Sequence, residues 1–94
     1  MKQVIDITKN NKKWSIETLT YWTDSPSSCY SGAHTLASAL LDGIRNNCID
    51  RVTELYVTVN RNRITRDEAI KIVSDKYENN FILDEYIAAC NLIN

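Results

Sequence analysis

Cys29 and His34 lie five residues apart, and His34 is the only histidine, so a thiol-imidazole nucleophile would have to use this pair, with Asp24 or Asp42 orienting the ring. Such a pair needs a lowered thiol pKa and a substrate pocket. No neighbouring cation marks Cys29, and a 94-residue chain leaves little room for a pocket beside its core. A small Cys/His enzyme is therefore disfavoured, and no catalytic residue is assigned. Metal binding is weaker still: one histidine and three scattered cysteines show neither CxxC nor HxxxH spacing. No metal ligand or cofactor is expected.

Two other groups could bind a ligand. Ser27, Ser28 and Ser31 precede a helix start whose free amides could hold an anion. The segment has one glycine and no lysine, unlike a phosphate cradle, so turns and caps are the expected use of these serines. Arg61, Arg63, Arg66 and Lys71 form a local basic segment that could contact a few phosphates. Against that stand Asp67, Glu68 and Asp75 nearby, and the absence of helix-turn-helix spacing.

The elements that must position these residues follow from hydrophobic period. Residues 3–8 set Ile5 and Ile7 opposite Val4, Asp6 and Thr8, as in a half-buried strand. After a polar turn at 9–13, residues 14–23 set Trp14, Ile16, Thr18, Thr20 and Trp22 on one face and Leu19 and Tyr21 on the other. A β-hairpin is the expected opening unit. Residues 24–32 read as a loop, with at most a short strand near Cys29 and Tyr30. A central helix over 32–46 follows, with Ala33, Leu36, Ala37, Leu40, Leu41 and Ile44 on one face. Residues 52–60 alternate as a strand. Thr65 and Glu68 then form a capping box for a helix reaching about Tyr77, and 81–93 reads as a final helix using Phe81, Ile82, Tyr86, Ala89, Cys90 and Ile93 for packing.

The fold class expected is α+β: a small, mainly antiparallel sheet, the N-terminal hairpin plus the strand near 52–60, covered by the central helix and two C-terminal helices. Length and composition fit one domain over 1–94, with 44% hydrophobic residues, two glycines and one proline. The formal charge of -1 disfavours general nucleic-acid or membrane-surface attraction. Residues 1–10 are too charged for a signal segment, and no apolar run approaches the roughly 18 residues a membrane helix needs. A cytoplasmic protein with reduced cysteines used mainly as small buried packing residues is expected. Frequent Asn and Ile suggest an AT-rich bacterial, plasmid or phage genome.

The outer face of the central helix is unusual, because Thr35, Ser38, Ala39, Asp42 and Asn46 are small and sparsely charged. Either the terminal helices cover it or a partner protein does. Tyr21, Trp22 and Tyr30, with Tyr56, could anchor such a partner.

Asp24-Ser25-Pro26, Cys29, Thr35-Leu36 and Ala39-Leu40, following an N-terminal hairpin, resemble the N-terminal domain of HicB-type antitoxins over residues 3–45. The chain departs from that pattern by an extra serine between Pro26 and Cys29, by a hairpin without Asp-Gly, and by a C-terminal part unlike the family's DNA-binding segment. The resemblance implies a partial ribonuclease-H-like fold and a non-enzymatic protein that masks a small ribonuclease toxin. The function expected is accordingly a protein-protein interaction module, an inhibitor or antitoxin-like protein. Its partner would be another protein, or a second copy in a homo-oligomer. A nucleic-acid-binding accessory protein using 61–71 is the alternative.

Overall fold

The computed structural model describes residues 1–21, 26–45, 52–78 and 81–93. Strands β1 (Lys2–Asn10) and β2 (Lys13–Tyr21) form the expected hairpin, paired from Lys2↔Tyr21 to Asn10↔Lys13. Only Asn11 and Lys12 lie between them. Asn11 adopts φ 60, the left-handed conformation that a two-residue hairpin turn requires and Asn tolerates.

The expected loop over 24–32 is corrected in its described part: Pro26–Ala33 is an eight-residue strand, β3, in continuous antiparallel register with β2. Serine and glycine are poor strand formers, but pairing along a preformed hairpin overrides local preference. Pro26 sits at the first strand position, where a missing N–H does least harm.

Because Gly32 and Ala33 belong to β3, helix α1 spans Leu36–Arg45 and starts later than the 32–46 reading. Thr35 caps it, its Oγ1 accepting from the Ser38 N–H at 3.1 Å. Strand β4 (Glu54–Val59) then lies parallel to β1. A further strand, β5 (Asn62–Arg63), turns back on β4 across Asn60 and Arg61, at φ 49 and 70. That strand was not anticipated: two polar residues carry no periodicity, and the turn that makes it uses an arginine where glycine is usual.

Helix α2 (Arg66–Ser74) has the predicted capping box, with Glu68 N–H donating to Thr65 Oγ1 and Thr65 N–H donating to Glu68 Oε1. It ends before Tyr77, which remains tied to it through its N–H to the Val73 carbonyl at 2.9 Å. Helix α3 (Phe81–Cys90) stops short of 93, and Ile93 instead bridges to Leu55. Its packing face is also corrected. Leu83, Tyr86, Ala89 and Cys90 are buried, whereas Phe81 and Ile82 face solvent.

The five strands form one mixed sheet in the order β3-β2-β1-β4-β5, antiparallel except for β1 with β4. One sheet face carries Ile5, Ile7, Ile16, Leu55 and Val57, all buried in a single core with Leu40, Ile44, Val73, Leu83 and Tyr86 of the helices. Gly43 marks the close approach of α1 to that face: a Cβ there would lie 3.2 Å from methyl groups of both Ile5 and Ile16. The shortest dimension, 19 Å, accommodates one helix layer and one sheet. Ala39, expected on the outer face of α1, is fully buried. Among the described residues, no helix is long and apolar enough to cross a membrane.

Candidate binding surface on the open sheet face

Strand alternation puts every second residue on the sheet face away from the helices, and the register aligns them in rows. One row runs Pro26, Tyr21, Lys2, Glu54. The next runs Ser28, Leu19, Val4, Tyr56. The third runs Tyr30, Glu17, Asp6, Thr58, Arg63. None of the open-face residues in these three rows is fully buried.

Contacts along and between these rows hold the polar groups in place. Lys2 Nζ lies 5.2 Å from the ring centroids of both Tyr21 and Tyr56, and the Arg63 guanidinium carbon lies 4.6 Å from the Tyr56 centroid. Thr58 Oγ1 donates to Asp6 Oδ1, and the Tyr56 hydroxyl donates to Glu54 Oε2 at 3.2 Å. The Glu17 carboxylate beside Tyr30, by hydrogen bonding and by its charge, raises the Tyr30 pKa above its ordinary value. A shallow depression of about 300 Å³ sits at the centre, lined by Asp6, Glu17, Tyr30, Thr58 and Arg61 among others. Its carboxylates occupy adjacent strands, since Asp6 is the direct partner of Glu17.

Of the residues expected to bind a partner, Tyr21 and Tyr30 stand on this face, while Trp22 lies outside the described residues. Thr35, Ser38 and Asp42 belong to the helix layer. Thr35 is the α1 cap, Ser38 Oγ lies 3.0 Å from the Tyr77 hydroxyl, and Asp42 is exposed. The five described positions therefore do not form one surface.

The basic segment is divided too. Arg61 and Arg63 join the open face, whereas Arg66 and Lys71 lie on α2, Arg66 with its Nε 3.8 Å from Asp67. Arg61 lines the depression with Asp6 and Glu17, and Arg63 stacks on Tyr56, whose hydroxyl donates to Glu54, so the face is a charge mosaic rather than a positive field.

Cys29 and His34 are both exposed, and the extended backbone from Cys29 to Ala33 covers about 13 Å, too far for a hydrogen-bonded pair. Cys90 is buried as a packing residue, but exposed Cys29 is not, and Cys48 lies outside the described residues. Among the described residues, no three His, Cys, Asp or Glu side chains cluster to hold a metal ion.

Sequence reasoning missed Asp6, Glu17 and Thr58 as site residues. The available signal was alternation, of Asp6 and Glu17 with Ile5, Ile7 and Ile16 and of Thr58 with Val57 and Val59, in strands whose other side had to be the core. The fold and this face define a two-layer α+β protein with one sheet surface left open. No protein-family model matches the chain, and no curated protein or solved structure shows significant similarity to it.

Proposed function

We propose that this protein is a non-enzymatic module that binds another protein through its open sheet face, as an inhibitor or antitoxin-like accessory protein of a bacterium, plasmid or phage. The observation that carries the reading is the face itself: Tyr21, Tyr30 and Tyr56 interleaved with balanced charges already held by neighbours. Tyrosines supply large contact area at low conformational cost, and preorganised charges set register against a partner. The antitoxin resemblance supports the same reading, because it implies a hairpin leading into a helix and a partner that is itself a protein.

Single-stranded nucleic acid also stacks on open sheets with exposed aromatics. Asp6 and Glu17 at the centre oppose it, since a phosphate backbone tracking across the face would meet two carboxylates.

The test is affinity capture with the intact chain as bait, from cells of its source, alongside Tyr30→Ala/Tyr56→Ala and Asp6→Lys baits. The reading expects a discrete protein held by the parent and by Asp42→Ala, and lost from both face variants. Recovery of RNA or DNA that elutes with salt, with no protein dependent on the face, would replace it with the nucleic-acid alternative.

A further inference from the structure

The two edges of the sheet are built differently. β5 is two residues long and carries Arg63, with Arg61 in the turn before it. β3 presents eight residues, of which Pro26 to Gly32 are exposed, with no charged side chain and no break in register. Natural proteins blunt edges of this length with lysine, internal proline, bulges or a covering element. β3 has proline only at its first position, and among the described residues nothing pairs with its outer side.

We propose that β3 pairs antiparallel with β3 of a second copy of the chain, joining the two sheets into one of ten strands. The edge favours its own copy because an uncharged strand meets itself without repulsion. A two-fold axis normal to the sheet makes the strands antiparallel and keeps both helix layers on one side.

The symmetry also restricts register. Directly opposite residues share a sheet face, so one residue must lie opposite its own counterpart. Centring the pair on Tyr30 matches residues 27–33 with 33–27 and leaves Pro26, which has no N–H, outside the ladder. Tyr30, 71% exposed, then faces Tyr30 of the second copy, an aromatic cross-strand pair. Cys29 falls opposite Ser31 of the second copy. The two Cys29 residues sit diagonally, about 7 to 8 Å apart, beyond disulfide reach. The pairing brings both open faces onto one surface but does not depend on what binds there.

Sedimentation velocity of the intact chain over roughly 1 to 100 µM is expected to show a concentration-dependent dimer, since a single strand pair is a small interface. Tyr30→Lys and Tyr30→Glu should each be monomeric, with unchanged circular dichroism, because each puts like charges opposite each other. An equimolar mixture should restore the dimer. Ser31→Cys should yield a covalent dimer on mild oxidation, and the parent should not. A parent that stays monomeric throughout the range overturns the proposal. So does a dimer indifferent to both Tyr30 charges, or one that Ser31→Cys fails to cross-link.

Discussion

The hydroxyl of Ser38 on α1 lies 3.0 Å from that of Tyr77, just past the end of α2. This contact joins the small-residue side of the central helix to the chain's own C-terminal half, and Ala39 beside it is fully buried. The salt bridge from Arg45 Nε to Glu85 Oε2, at 3.0 Å, makes a second link from α1 to α3.

Tyr77→Phe removes one half-buried hydrogen bond and is expected to cost about 1 kcal/mol. Ser38→Leu adds bulk at the same junction and should cost about 1 to 3 kcal/mol, lowering Tm by roughly 4 to 8 °C per kcal/mol. Thermal unfolding of the purified chain measures both. If Ser38→Leu unfolds at the parent's temperature, α1 and α2 do not pack here.

Tyr86 is fully buried, and its hydroxyl donates to the Ala69 carbonyl at 2.7 Å, fastening α3 to α2. Tyr86→Phe keeps the ring and loses the bond, so a destabilisation of about 1 to 1.5 kcal/mol is expected in urea. Tyr86→Ala also opens a cavity and should cost about 3 to 5 kcal/mol.

Burial pushes the Cys90 thiol up from 9.0 to about 11. The neutral thiol is therefore the folded form, and the unfolded chain ionises first. Stability from this group is intact below about pH 9, falls between pH 9 and 11, and changes no further above that. The loss should reach about 2 to 3 kcal/mol across the window. Burial raises the Tyr86 phenol as well, adding a loss of the same sign above pH 10. Urea titrations at pH 8, 9 and 10 should show the first part of this fall in the parent and not in Cys90→Ala. Equal slopes in the two proteins would contradict the assignment.

Arg61 holds φ 70 in the turn between β4 and β5, a conformation that costs a non-glycine residue about 1 kcal/mol or more. The turn is pinned by Asn60, whose Oδ1 accepts from the Lys9 N–H at 3.0 Å and whose N–H donates to the Ile7 carbonyl at 2.8 Å. Arg61→Gly relieves the backbone and loosens the unfolded chain, so stability should stay level or rise by up to about 1 kcal/mol. Binding of a protein partner to the open face should weaken in the same variant. Chemical denaturation and titration calorimetry separate the two effects, and a clear loss of stability would contradict the strain at this turn.

Local signals were enough for the elements they govern. The alternation around Ile5, Ile7 and Ile16 identified the hairpin and its core side, and Thr65 with Glu68 identified the start of α2. The stripe through Leu40 and Ile44 identified the central helix, though not its first turn, because Gly32 and Ala33 obey a strand partner rather than their own preference. The same competition hid β3. Ser27, Ser28 and Ser31 read as turn residues until β2 stands beside them.

What the amino-acid order determined by itself was therefore which side of the hairpin, of β4 and of the Leu40 and Ile44 stripe meets the core, since that depends on periods of two and 3.6 residues along the chain; the packing face of α3 and the burial of Ala39 came only with the assembled helices. The tertiary structure decided the parallel pairing of β1 with β4 and everything that follows from it. Asp6 and Thr58 are 52 positions apart, yet they share a hydrogen bond in the middle of the open face. Strand partners are chosen by distant segments competing for one edge, so the sequence near Asp6 holds no trace of Thr58 or Arg61. The open face, its tyrosines and its paired carboxylates exist only once that choice is made.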